Sequence, residues 1–144
     1  VIEGLPIFTA AEFGVPPSLT KKYEAKRTVY TVALVQLALA RLKDDPGVSE
    51  ITSEFGELIS ATFDADLVKQ QKAAMTELLN GPLAHRTIPH FSWALGWFRE
   101  IGFEISDFGA LSRFLLGWPD AYATIHGGIR KLVSYAYPDL EPSE

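Results

Sequence analysis

The chain has 144 residues, 47% of them apolar and 22% charged, with a formal net charge of −5. That length and balance fit one globular domain and exclude a disordered chain. With no cysteine, disulfides, thiolate metal sites and cysteine nucleophiles are excluded, and the net negative charge disfavours polyanion binding by the molecule as a whole.

The first 17 residues hold Gly4, Pro6, Gly14, Pro16 and Pro17, a composition that forms neither helix nor strand unaided. They read as an extended N-terminal arm (1–17) on a single helical domain (18–144). No basic region followed by an apolar stretch opens the chain, so no secretory signal is expected. The arm has two readings: it lies on a neighbouring subunit, or it folds back over its own bundle.

Ser18 or Thr20 caps a long first helix that runs to about Lys43, near 39 Å at the α-helical rise. Its second half (Val29, Tyr30, Val32, Leu34, Val35, Leu37, Leu39) is apolar almost all round and reads as the central rod of a bundle. Its first half, with Lys21, Lys22, Lys26 and Arg27, is basic and is expected to project beyond the core. Asp45-Pro46 opens a second helix that reaches Ala61. Asp64 caps a third, with Phe63 and Val68 placed as a staple, and Asn80-Gly81-Pro82 stops it. Thr87-Ile88-Pro89 begins a fourth that ends near Gly102. A fifth is expected from Ser106 to Gly117 and a sixth from Pro119 to Tyr137, stopped by Pro138. Gly127-Gly128 inside the last segment marks a kink or a close backbone approach. The fold class is therefore all-α: arm, long first helix and about five further helices. The longest apolar run, Val29 to Ala40, is too short to span a bilayer.

Charge is segregated. Residues 18–43 carry six bases (Lys21, Lys22, Lys26, Arg27, Arg41, Lys43) against Glu24, whereas residues 44–66 carry seven acids and no base. Glu50, Glu54 and Glu57 share a helix face. A basic leading helix and an acidic face are complementary surfaces for head-to-tail assembly. The basic cluster also reads as a plain solvated face, or as a strip for nucleic-acid phosphates with Tyr23 and Tyr30 interleaved; with no base-reading motif, any such contact is to backbone.

No catalytic constellation is visible, and none of a phosphate loop, a serine nucleophile motif or a helical histidine pair occurs. Neither a cofactor nor a metal is expected, and the chain does not read as an enzyme. His85 and His90 straddle Pro89 and do not share a face. Asp64-x-Asp66 is better explained as a cap with a favourable first-turn acid, and Glu104 and Asp107 likewise flank a helix start. The aromatic run Phe91, Trp93, Trp97, Phe98, Phe103, Phe108, Phe114, Trp118 and Tyr122 reads as core, as a tryptophan-anchored interface or as an apolar pocket.

One methionine, one asparagine and three glutamines is a depletion of labile residues found in hyperthermophile proteins, and equally the mark of a GC-rich genome. Together with the arm and basic helix from Val1 to Lys43, this layout resembles the helical major capsid proteins of filamentous archaeal viruses. The resemblance implies a virion subunit that assembles with copies of itself or a paralogue. It would set Lys21, Lys22, Lys26, Arg27, Arg41 and Lys43 against phosphate. Pro6, Phe8, Phe13, Tyr23, Tyr30, Glu50, Glu54 and Glu57 would then lie at subunit contacts. The alternative from the residues themselves is a helical interaction module, such as a small subunit of a larger complex or an immunity-type protein, cytoplasmic and docking through Glu50–Glu57 or the aromatic region, with a small-molecule-binding bundle or enzyme around His90–Trp97 as a third reading.

Overall fold

The computed structural model describes residues 9–44, 47–83 and 91–136. It is all-α. Two 3-10 turns, Ala10–Phe13 and Pro17–Leu19, lead into α1 (Thr20–Arg41), followed by α2 (Val48–Thr62), α3 (Ala65–Asn80), α4 (Phe91–Arg99) and α5 (Phe108–Ala136), with no strand among the described residues. The helix starts expected at Asp45-Pro46 and Thr87–Pro89 lie outside the described residues, as do Pro6, Phe8, His85, His90 and Pro138.

As its composition demands, α1 is the central rod. Val29 through Val35 and Leu37 through Leu39 are buried on every side, with α3 and α5 packed along it and α4 resting on α5. Thr31 is the polar residue inside this run, and its hydroxyl donates to the Arg27 carbonyl at 2.8 Å, which removes the penalty of a bare buried oxygen. The helix α2 is attached more lightly: Val48 and Ile59 are its buried residues, and Leu58 is 59% exposed.

Local signals place the helix ends. The Asp64 carboxylate accepts from the Leu67 amide at 2.8 Å and caps α3. Asp107, not Ser106, caps α5, accepting from the amides of Gly109 and Ala110 at 2.9 and 3.2 Å. After α4, Gly102 takes φ 92°, where a side chain would be strained. Phe103 then donates its amide to the Phe98 carbonyl at 3.0 Å and sets its ring 5.9 Å from that of Phe98, the apolar clasp that accompanies this kind of helix stop.

Two expectations are corrected. The break at Gly117-Trp118-Pro119 does not occur: α5 is one helix of 29 residues with Pro119 inside it. A proline within a helix forfeits a hydrogen bond and costs about 3 kcal/mol. Here the buried stripe runs unbroken past it, from Ala110, Leu111, Phe114, Leu115 and Trp118 to Ala121, Ile125, Ile129 and Val133, and Pro119 itself lies on the exposed side. Burying even a few of those side chains is worth more than the lost bond, at roughly 1.5–3 kcal/mol each.

The second correction concerns the N-terminal segment. From Thr9 onward it is not an extended arm, and the first half of α1 does not project. Ala10, Phe13 and Val15 are 8%, 4% and 6% exposed. The Phe13 ring sits 5.7 Å from Phe98 and 5.5 Å edge-on from Phe114, and Tyr23, in the basic half of α1, is fully buried beneath it. Substituting Phe13→Ala therefore removes a core ring, not an ornament, and should lower unfolding free energy by about 3–5 kcal/mol, read from urea denaturation followed by circular dichroism.

Candidate interaction surface and polar groove

The six bases do not form one strip. Lys21 and Lys22 are exposed in the first turn of α1, and Arg41 and Lys43 are exposed at its other end, about 30 Å away by the helical rise. The Arg27 guanidinium lies 5.9 Å from the centre of the Tyr23 ring. Lys26 is drawn inward: its side chain is 14% exposed, and its ammonium bonds Glu100 at 2.5 Å and the Trp97 carbonyl at 2.8 Å. It also stands 4.6 Å from the Trp97 ring centre, a cation–π position.

The aromatic residues expected at interfaces or against phosphate are core. Phe13, Tyr23 and Tyr30 are all buried, and so is Trp97, because their rings pack on one another. Trp97 lies 5.7 Å from Tyr23, 5.6 Å from Tyr30 and 4.9 Å from Phe114. The Trp97 indole N–H finds no hydrogen-bond partner; it is enclosed by ring faces, which are weak acceptors. Glu50, Glu54 and Glu57 are exposed on α2, as their spacing suggests. His126 is half-buried on α5, its ring 6.2 Å from Tyr122.

Sequence reasoning missed the polar bridge that closes the aromatic core on the α3 side. The Glu77 carboxylate accepts from the Tyr30 hydroxyl at 2.7 Å and from the Trp93 indole N–H at 3.2 Å. One signal pointed to it: Glu77 is the single acid between Asp66 and Glu100, on a helix whose neighbours are otherwise neutral, basic or apolar. Tyr30, Glu77, Lys26 and Glu100 line one groove of about 520 Å³ between α1, α3 and the end of α4, with Lys22, Ala25, Val29, Leu67, Gln70, Ala73 and Ile101. Desolvation, outweighing the Glu100 bond, holds the Lys26 ammonium below its ordinary pKa; burial and the Glu77 bond push the Tyr30 phenol upward.

Away from this groove, α5 has an exposed outer side. Phe108 and Leu116 are 66% and 65% exposed, and Leu132 is 47% exposed. Between the last two run Asp120, Ala123, Thr124, Gly127 and Gly128, all exposed. Beyond the adjoining backbone of α5, no described atom comes within 4 Å of where a Cβ would stand on either glycine, so neither glycine serves a close approach to another part of the described chain.

No group of three acids and histidines able to hold a metal occurs among the described residues, and no helix among them is long and apolar enough to cross a membrane. No protein-family model matches the chain, and no curated protein or solved structure matches it significantly.

The shift at Lys26 sets a pH dependence. Its folded-state pKa is depressed, so the charged form weighs against folding at neutral pH. That handicap fades as pH rises toward the ordinary lysine value of 10.5. The elevated Tyr30 phenol acts in the opposite sense only above its ordinary value of 10.0. Lys26→Met should change stability at pH 7 by no more than about 1 kcal/mol and should abolish the alkaline gain expected of the parent up to pH 10, measured as urea midpoints across that range.

Proposed function

We propose that this chain is a non-catalytic helical subunit that assembles with copies of itself, or with a closely related subunit, through the outer face of α5. The observation behind this reading is the outward seam of α5, where Leu116, a large apolar side chain 65% exposed, is followed by the exposed small residues Ala123 and Gly127. Isolated exposed leucines are ordinary; Leu116, on one outward seam with the small residues Ala123 and Gly127, leaves room for a second backbone to lie close and suits a partner helix.

Charge along that face favours a particular orientation. Leu116, Asp120, Ala123, Gly127, Arg130 and Ser134 fall on one seam at spacings of three and four. Laid parallel and in register, a second α5 would bring Asp120 onto Asp120 and Arg130 onto Arg130. Laid antiparallel about the midpoint between Ala123 and Gly127, it sets Asp120 opposite Arg130 of the second copy at both ends, Ala123 opposite its Gly127, and Leu116 opposite its Ser134. That is an isologous contact, each residue meeting its complement twice.

Support for the wrapping of nucleic acid is weaker. Lys26 is committed to Glu100 and the remaining bases are split between the two ends of α1, so the assembly reading rests on α5 alone and does not call on phosphate contacts. The segment from Thr9 to Pro17 is likewise occupied within its own bundle.

The mass in solution, from size exclusion with light scattering, tests this. The parent chain should run above its monomer mass of 15.9 kDa. Leu116→Glu, which alters no buried group, should return it to the monomer without lowering its melting temperature. Asp120→Arg and Arg130→Asp should each weaken association, and the double exchange should restore it. A parent chain that is monomeric at every concentration sinks the proposal, as does a double exchange no better than either single change.

A further inference from the structure

The groove between α1 and α3 has a charge layout that its own residues do not complete. Tyr30 meets Glu77 at one end, and the lining residues Lys22 and Gln70 sit about two turns earlier on the same two helices. The helices therefore run side by side in the same direction, and the groove extends about 12 Å, the rise from residue 22 to residue 30. Ala25, Val29, Leu67, Ala73 and Ile101 give it apolar walls. Its midpoint is neutral, since Lys26 and Glu100 pair there.

Its ends are not neutral. At one, the half-buried Glu77 receives hydrogen bonds from two uncharged donors, Tyr30 and Trp93, and no cation among the described residues forms an ion pair with it. A carboxylate has about four acceptor positions, so two stay open toward a ligand, next to the ring of Tyr30. The nearest cation, Lys26, feels Glu77 only at longer range and is itself held by Glu100, so the half-buried carboxylate can take an ammonium group in direct contact. At the other end stands the exposed ammonium of Lys22. A simple anion would meet Glu77 and Glu100, and a polyamine would meet Lys22 and Lys26, so each is repelled at one end.

We infer that this groove binds short ω-amino carboxylates, molecules with an ammonium and a carboxylate separated by a slim apolar chain. The ammonium sits on Glu77, the chain lies along Val29, Leu67 and Ala73, and the carboxylate reaches Lys22. The inference is independent of how the chain assembles, because the groove lies on α1 and α3 and leaves α5 untouched.

Titrations of the full chain with 6-aminohexanoate, hexylamine and hexanoate, followed by amide NMR shifts, test it. The expected order is 6-aminohexanoate tightest, hexylamine weaker and hexanoate without saturable shifts, with the perturbed amides in α1, α3 and residues 100–101. Glu77→Gln should weaken both amines about tenfold, the loss of one charge-assisted contact. Lys22→Glu changes only an exposed side chain and should erase the advantage of 6-aminohexanoate over hexylamine. Should Glu77→Gln fail to fold, the Lys22→Glu comparison decides. The inference is overturned if no probe gives saturable shifts at millimolar concentration, if the shifts map elsewhere, if hexanoate matches 6-aminohexanoate, or if that advantage survives Lys22→Glu.

Discussion

The arrangement of this protein hangs on one cluster of rings. Phe114 of α5 touches Phe13, Trp93, Trp97, Phe98 and Trp118, with centroid separations between 4.7 and 6.0 Å, and Tyr23 and Tyr30 of α1 close the group through Trp97. Rings of this size each bury a large apolar area and prefer tilted or edge contacts to flat stacking, and most pairs here are tilted or edge-on. A cluster that draws from residue 13, both tyrosines of α1, three rings of α4 and the first half of α5 leaves little freedom in how those segments sit. It also explains why the N-terminal segment from Thr9 onward lies against its own bundle: Phe13 has a place in the cluster that only its own chain supplies.

The polar edge of the molecule follows from the same rings. Tyrosine and tryptophan bring an O–H or N–H into the core along with their apolar area, and each must find an acceptor or go without. Glu77 serves Tyr30 and Trp93 together, while Trp97 offers its backbone carbonyl and its ring face to Lys26. A lysine and a glutamate are thus brought to the rim of an aromatic core by its needs. The ion pair with Glu100, more than half of whose side chain is exposed, does little beyond offsetting the desolvation of the ammonium. The groove inherits its charges from this arrangement.

How much of this was legible in the sequence divides along a physical line. Signals whose cause is local could be read. Asp64 as a cap, the stop at Asn80-Gly81, the end of α4 near Gly102 and the apolar second half of α1 all depend on residues within a few positions of one another. Signals whose outcome is settled by tertiary burial misled. Pro119 is a sound local reason to end a helix, and it was outweighed by a buried stripe on both sides of it. Lys21 to Arg27 looks like a projecting basic face because four bases dominate it, yet the single tyrosine among them, Tyr23, decides which way that turn faces. The Lys26–Glu100 and Tyr30–Glu77 ties join residues 74 and 47 positions apart, a separation at which spacing carries no information.

The two faces of α5 show how differently one helix can be constrained. Its inner side reads Phe114, Trp118, Ala121, Ile125, Ile129 and Val133, a sequence fixed by the volume available beneath it. Its outer side holds Pro119, Gly127 and Gly128, each among the poorer choices for a solvent-facing helix, where alanine, lysine or glutamate would add stability. Beyond the adjoining backbone of α5 itself, nothing described lies within 4 Å of where a Cβ would stand on either glycine, so neither is required by a close approach that would compensate for the loss. The helix persists because the inner face is strong enough to tolerate them. The outer face is left as a low seam in which Ala123 and Gly127 lie between Leu116 and Arg130. That profile adds nothing to the packing of the chain's own core, and it is the feature on which the proposed contact between subunits rests.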